Sequence, residues 1–367
     1  MNGQKIKKIA FVTANLNAYS ETFIRAQIDL LKPDIILHGG RLPSKINGES
    51  IITPFWDSIN KKCRNLFHFD IVTLENRLVY LLRKKKIEIV FAQFGPVGVA
   101  MLPVCKKSKI PLVVHFHGFD ASHKPSLEKY ETAYREMFTY AKNIIVVSTA
   151  MFKAIHELGC PLEKIVLNSY GVNELFFKCT PSFESNVFFA AGRFVEKKGP
   201  EFTIRSFHQI VIQFPDARLY MAGDGPLLEN CRQLVKSLSL EKNVFFPGVL
   251  KPEMIAGFMQ KSIAFVQHSM VASSGDSEGT PVAILEASAA SLPVVSTFHA
   301  GIPDVIQDNI TGLLVPEKDI VKMTDAMILL LKDKELARKM GLAGRERIKS
   351  AFSMEKYIDV LKTLLYS

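Results

Sequence analysis

Two carboxylates and two cations in the second half of the chain have the types and spacing for chemistry on a phosphorylated sugar. Glu286 stands eight residues after Glu278. Between them, Thr280-Pro281 reads as a cap and first-turn proline opening a helix over 282–291. That helix is small and apolar, so it is expected to be buried, where a mid-helix acid has little structural use. Its mouth, around Gly279, Thr280, Pro281 and Val282, offers free N–H groups to a diphosphate. A carboxylate such as Glu286 can accept two hydrogen bonds from a ribose diol. Glu278, in the loop, can accept from sugar hydroxyls. The alternative is that Glu286 is a structural acid paired with a distant Arg or Lys. Further upstream, Gly192 to Gly199 reads GRFVEKKG. Arg193 and Lys198 there are two cations suited to a diphosphate leaving group, with Lys197 as the rival lysine; the plain alternative is a basic loop in solvent.

These residues need a scaffold that presents loops at strand ends, and the rest of the pattern supplies one. Apolar runs at 8–16, 34–37, 87–91, 111–116 and 142–148 read as buried strands. Helical patterns lie at 22–31, with Ser20 as N-cap, and at 71–85 and 150–158. The second half repeats the alternation, with strands at 187–191, 217–222, 243–249, 263–267 and 292–296. Helices are expected at 319–331, 334–350 and 354–366. Such alternation predicts an α/β fold of two doubly wound, parallel-sheet domains, whose ligands bind at the carboxyl ends of the strands. Residues 40–65 read as loop-rich, with Trp56, the single tryptophan, expected in the core rather than as an acceptor contact. The run PLVVHF ends in His117-Gly118-Phe119-Asp120, and 217–222 ends in the tight turn Gly223-Asp224-Gly225-Pro226.

The two glutamates around a Gly-x-Pro helix start, with these other segments, resemble the signature of retaining glycosyltransferases of family four, which have the GT-B architecture. The likeness covers nearly the whole chain, including SETFI at 20–24, the HG-x-D segment, NVFFPGV at 243–249, GIPD at 301–304 and NITGLLVP at 309–316. It departs from the family in three places: the loop after the first strand lacks the usual glycine pair, Gln93 stands where a histidine is common and so is assigned no chemistry, and Asn173 stands where Asp is usual. The resemblance implies two Rossmann-like domains facing across a cleft. Residues 1–178 would bind the acceptor, 179–186 would link, 187–350 would bind the nucleotide sugar, and 351–367 would pack back on the first domain. It implies Glu278, Arg193, Lys198 and His117 as catalytic residues, His117 lying near the transferred sugar unless it is an ordinary strand-end histidine. Glu286, Gly279, Thr280, Pro281, Val282, Gly248, Val249, Gly223 and Asp224 would contact the nucleotide sugar, with Gly248 and Val249 against the base. The reaction would move a hexose from a nucleoside diphosphate sugar to a hydroxyl with retention, in surface polysaccharide assembly. No D-x-D motif occurs, so no metal and no cofactor is expected. The alternative function is a non-catalytic nucleotide-sugar or glycan-binding protein with a decayed site.

Composition bounds the partners. The 367 residues suffice for two domains, and 48% are hydrophobic. No apolar run reaches the roughly 18 residues of a membrane span, and the start reads as a strand rather than a signal peptide. Five scattered cysteines without a C-x-x-C pair argue for a reducing cytoplasm. The net charge is +10, and it is uneven: residues 1–180 hold 25 Lys and Arg against 15 Asp and Glu, residues 181–367 hold 21 of each. A basic first half suits a lipid-linked glycan acceptor or an anionic membrane surface, placing the chain in the cytoplasm or peripherally on the inner membrane face; the bland alternative is a solubilising surface. Nucleic acid is not expected, because the basic clusters lack interleaved aromatics. The absence of G-x-G-x-x-G after the first strand argues against a dinucleotide enzyme.

Overall fold

The computed structural model describes residues 7–16, 21–67 and 72–366. The expected N-cap Ser20 and most of the loop after the first strand lie outside the described residues. In the first half, apolar runs become strands β1 (Ile9–Val12), β2 (Ile35–His38), β5 (Ile89–Gln93), β6 (Leu112–His115), β7 (Asn143–Val146) and β8 (Ile165–Leu167). Between β2 and β5, a two-residue-strand hairpin, β3 (Lys45–Ile46) and β4 (Glu49–Ser50), adds antiparallel to one edge. The sheet order is β4-β3-β2-β1-β5-β6-β7-β8. In β1, β5 and β6 every residue is buried, as a parallel sheet covered on both faces requires.

The second half forms β9 (Val187–Ala191), β10 (Arg218–Ala222), β11 (Val244–Gly248), β12 (Ala264–Val266), β13 (Val294–Thr297) and β14 (Gly312–Val315). All pair in parallel, in the order β11-β10-β9-β12-β13-β14. The chain thus reverses its winding between β1 and β5 in one sheet and between β9 and β12 in the other, opening a crevice at each reversal. Helices cover both sheets. Thr73 caps Leu74–Lys84 by accepting from Asn76 N, and Ser148 caps Thr149–Glu157 by accepting from Met151 N.

The last helix, Met354–Tyr366, packs on elements of the first sheet. Gln27 Nε2 donates to Tyr357 Oη at 2.6 Å, Lys142 Nζ to the Leu364 carbonyl at 3.0 Å, and Tyr366 Oη to the Leu31 carbonyl at 3.3 Å. Among the described residues no helix is long and apolar enough to cross a membrane.

Two expectations need correction here. Residues 40–65 are not loop: besides the hairpin they contain most of the amphipathic helix Pro54–Phe67, whose polar face hid its period. Trp56 is half-buried near the start of that helix, edge-on to the exposed Phe55, and is not in the core.

Candidate active site

The loop after β9 and the loop after β12 meet at the winding reversal of the second sheet. Gly192, Arg193, Lys198 and Gln267 line one cleft there. Lys198 Nζ lies 3.0 Å from Glu278 Oε1 and 3.4 Å from Gln267 Oε1. Lys197 turns the other way, to Asp276 Oδ1 at 3.0 Å and the Ser277 carbonyl at 3.2 Å. Neighbouring lysines thus hold two acids of one loop. Burial alone would push the Glu278 carboxyl up, but Lys198 and Lys197 outweigh it and hold the carboxyl below its usual range. Glu278 is ionised at neutral pH and stands beside a cation.

Arg193 is exposed at the rim. Its charge also reaches the first domain: burial raises the Glu21 carboxyl, and Arg193 draws it back down. Glu21 belongs to the SETFI segment, and its long-range approach to Arg193 had no local signal.

The helix mouth follows the loop. The helix runs over Val282–Ala289, two residues shorter than expected at its end. Thr280 is not its side-chain cap: Pro281 occupies the cap position, and the Thr280 hydroxyl instead donates to the Val147 carbonyl of the first domain. Among the described residues the Val282 and Ala283 N–H groups have no partner, as first-turn groups commonly do not. Val282, Ala283 and Glu286 are half-buried, whereas Ile284, Leu285, Ala287, Ser288 and Ala289 are buried. Positions 282, 283 and 286 share a helix face by the i, i+3, i+4 rule, so that face is the open one. Burial pushes the Glu286 carboxyl up to about 8. It has no hydrogen-bond or ion-pair partner among the described residues, so the alternative of a salt-bridged structural acid does not hold. Gly279 presses on the first domain: a Cβ there would meet the His117 carbonyl oxygen at 2.6 Å.

The other residues expected to contact the nucleotide sugar fall at the cleft's edges. Gly223 packs against Gly192, where a Cβ would stand 1.9 Å from its carbonyl oxygen, and the Asp224 carbonyl accepts from Phe194 N. Here both residues shape the Arg193 loop. Gly248, with φ 78°, ends β11 with open space at its Cβ position, and the exposed Val249 follows it.

Across the cleft, His117 lies at the end of β6. Its Nε2 is 3.0 Å from Gln93 Oε1 and its Nδ1 2.7 Å from Tyr170 Oη. With the amide oxygen facing the ring, Nε2 carries the proton and Nδ1 accepts the Tyr170 hydroxyl. Both nitrogens are therefore engaged by protein groups. The ring lies among Phe23, Phe94 and His115, with centroids 4.5, 4.6 and 4.2 Å away. Burial, then His115, hold its pKa well below the usual value, so the ring is neutral. Asp120 fixes the loop by accepting from Gly95 N, His117 N and Gly118 N at 2.9, 2.9 and 3.0 Å. Gln93 and Tyr170 were assigned no chemistry from sequence. Nothing local marks a glutamine or tyrosine as a histidine's partner.

Sequence reasoning also missed His299 and Glu317. His299 Nε2 accepts the Glu278 N–H at 3.1 Å, and its Nδ1 faces Glu317 Oε1 at 2.6 Å. Among the described residues no group of three or more His, Cys, Asp or Glu side chains is arranged to hold a metal ion.

The comparisons with known proteins bear on the family and the fold. The model of glycosyl transferases group 1 matches residues 172–347, and that of glycosyltransferase family 4 matches 52–174. WcaL of Escherichia coli, named for colanic acid biosynthesis, is 29% identical over 287 residues, spanning 76% of this chain and 70% of the relative. The amylovoran biosynthesis glycosyltransferase AmsK of Erwinia amylovora is 29% identical over 244 residues, 66% of this chain and 60% of its own. Among solved structures, HepE of Anabaena in complex with UDP and glucose superposes with a TM-score of 0.77 at 17% identity, covering 98% of this chain and all of that one (100%); at that identity the likeness speaks for the fold. The chain belongs to the group 1 and family 4 glycosyltransferases and is an enzyme of the GT-B fold.

Proposed function

We propose that the protein transfers a hexose from a UDP- or GDP-linked sugar to a hydroxyl of a glycan or lipid-linked glycan, with retention at the anomeric carbon, in surface polysaccharide synthesis. The observation that carries this reading is the convergence of Arg193, Lys198 and Glu278 at the winding reversal of the second sheet. The diphosphate would lie against Arg193, Lys198 and the Val282–Ala289 helix mouth. Glu286 would accept the ribose hydroxyls and Glu278 those of the sugar. The anomeric C–O bond breaks with its electron pair on the β-phosphate oxygen, where the cations and N–H groups stabilise the charge as it grows. The acceptor oxygen forms the new C–O bond, and its proton passes to the leaving phosphate oxygen. No metal or other cofactor takes part in this reading.

Residues 187–350 would hold the donor and 1–178 the acceptor, with 179–186 as linker and 351–367 as a strap. The relatives' names support a polysaccharide acceptor, and the basic first half supports an anionic membrane surface at the cytoplasmic face. Part of that charge is already paired, since Lys106 meets Glu136 and Lys107 meets Glu75, each at 2.6 Å.

The test is a thermal-shift panel of UDP, GDP, ADP and their common sugars, with and without magnesium. A shift by one nucleoside diphosphate, unchanged by magnesium or chelator, is expected and identifies the base. A shift without release of that diphosphate from any donor would favour the non-catalytic binding protein, and no shift at all would remove the donor site.

A further inference from the structure

We propose that Glu317 and His299 are positioning residues for the transfer: one carboxylate ties both ends of the 271–278 loop and so sets where Glu278 stands. The proposal rests on the reading of Glu278 as the sugar-contacting group. Glu317 follows β14, two strands away from β12, whose loop it holds. Its Oε2 accepts the Val271 N–H at 3.0 Å, at the start of the loop. Its Oε1 lies 2.6 Å from His299 Nδ1, and His299 Nε2 lies 3.1 Å from Glu278 N, at the loop's other end. An amide N–H can only donate, so Nε2 is the acceptor and the ring proton is on Nδ1, aimed at Glu317. The His299 side chain is 1% exposed. Its own backbone is fixed, the amide donating to the Thr297 carbonyl at 2.8 Å and the carbonyl accepting from Ile302 N at 3.0 Å.

This arrangement bears on chemistry as well as on folding. The Glu278 amide is one bond from the Cα that carries the carboxylate, so a shift of the amide moves the carboxylate off Lys198. Glu196, which accepts from Ser273 N and Oγ, and Lys197, which meets Asp276, hold the middle of the loop. The Glu317–His299 pair holds its ends. Without His299 the buried Glu278 N–H would lose its acceptor, a cost the loop can avoid only by moving.

Two assays on the full chain decide the matter. Amide hydrogen exchange of residues 271–278 is compared in the parent, His299→Ala, Glu317→Ala and His299→Gln, whose amide oxygen can take the Glu278 N–H. Release of UDP from UDP-glucose, or of GDP from GDP-mannose, is measured in the same set beside Glu278→Ala. Loss of one such hydrogen bond should speed exchange about tenfold in the alanine variants and lower kcat about tenfold, with nucleotide Kd within about twofold; His299→Gln should recover most of both. Should an alanine variant unfold, Glu317→Gln, which keeps one tie, is expected to fall between parent and alanine. Parental exchange in both variants overturns the tether. Faster exchange with parental kcat overturns the positioning role, provided that Glu278→Ala is crippled. Full rate in Glu278→Ala would instead overturn the reading of Glu278, and the positioning role with it.

Discussion

The two walls of the cleft are built from different chemistry. The second-domain wall is wired by charge: Lys198 faces Glu278, Lys197 faces Asp276, and Arg193 stands exposed beside them. Around His117 the first-domain wall is neutral and aromatic: the half-buried ring lies among Phe23, Phe94 and His115, with both ring nitrogens satisfied by Gln93 and Tyr170. Charges kept at the rim of a low-dielectric cleft are strong where new charge develops. A satisfied aromatic wall gives shape and hydrogen-bond geometry without a field of its own. The contrast fits a charged leaving group on one side and an uncharged sugar or hydroxyl on the other.

The charged wall should yield the largest effects. Arg193→Ala and Lys198→Ala are each expected to lower turnover about 10²–10³-fold, the range for loss of one donor to a developing anion. They should differ in stability. Arg193→Ala leaves the thermal midpoint near the parent's, since its exposed side chain ties down no buried partner. Lys198→Ala strands a buried carboxylate. In the parent, the depressed Glu278 group adds stability above 4.5 that is lost as pH falls through its folded value. Without Lys198, burial reverses the sign, and stability should fall as pH rises. Parental turnover in both variants, measured as nucleoside diphosphate release, would erase the contrast between the walls.

Glu286 sharpens the contrast, because it lies on the charged side yet is protonated before ligand arrives. A carboxyl raised from 4.5 to about 8 in the folded state lowers stability as pH rises between those values, since the unfolded chain ionises first. Glu286→Gln should remove that slope. A ribose diol donating to the group would favour its charged form, so nucleoside diphosphate binding near neutral pH should release a proton. Calorimetry in two buffers of different ionisation enthalpy reads the release, and the glutamine variant should bind about tenfold more weakly without it. Equal proton release in parent and variant would dismiss Glu286 as the ribose contact.

The neutral wall should give the smallest effect. Tyr170→Phe removes one neutral hydrogen bond to His117, so turnover should drop about fivefold. Its pH profile should match the parent's, because burial keeps the ring neutral either way. A new pH limb in the variant would mean that Tyr170 controls the protonation of His117.

Much of this arrangement is written locally. Fully buried parallel strands need continuous apolar runs, so VFFAA and PLVVHF announced β9 and β6 and the loops after them. Arg193 and Lys198 follow β9, while Glu278 lies in the loop after β12 and Glu286 in the helix behind it; all four were singled out by residue type and spacing. The helix Thr22–Leu31 was legible to its ends, because its amphipathic period is strong. The helix Pro54–Phe67 was missed although it is amphipathic, since it is polar on average where Thr22–Leu31 is apolar on average.

What the chain alone determined is therefore the scaffold and the charged residues at its strand ends, because backbone periodicity and loop chemistry are properties of neighbours in sequence. What the tertiary structure decided is every partnership across it. Glu317 reaches His299 across 18 residues and His299 reaches the Glu278 amide across 21; Gln93 and Tyr170 close on His117 from 24 and 53 residues away. It also decided that Glu286 is unpaired among the described residues and half-open while Leu285 and Ala287 beside it are buried. Partners and exposure depend on which loops the two sheets bring to one cleft, and no local pattern encodes that.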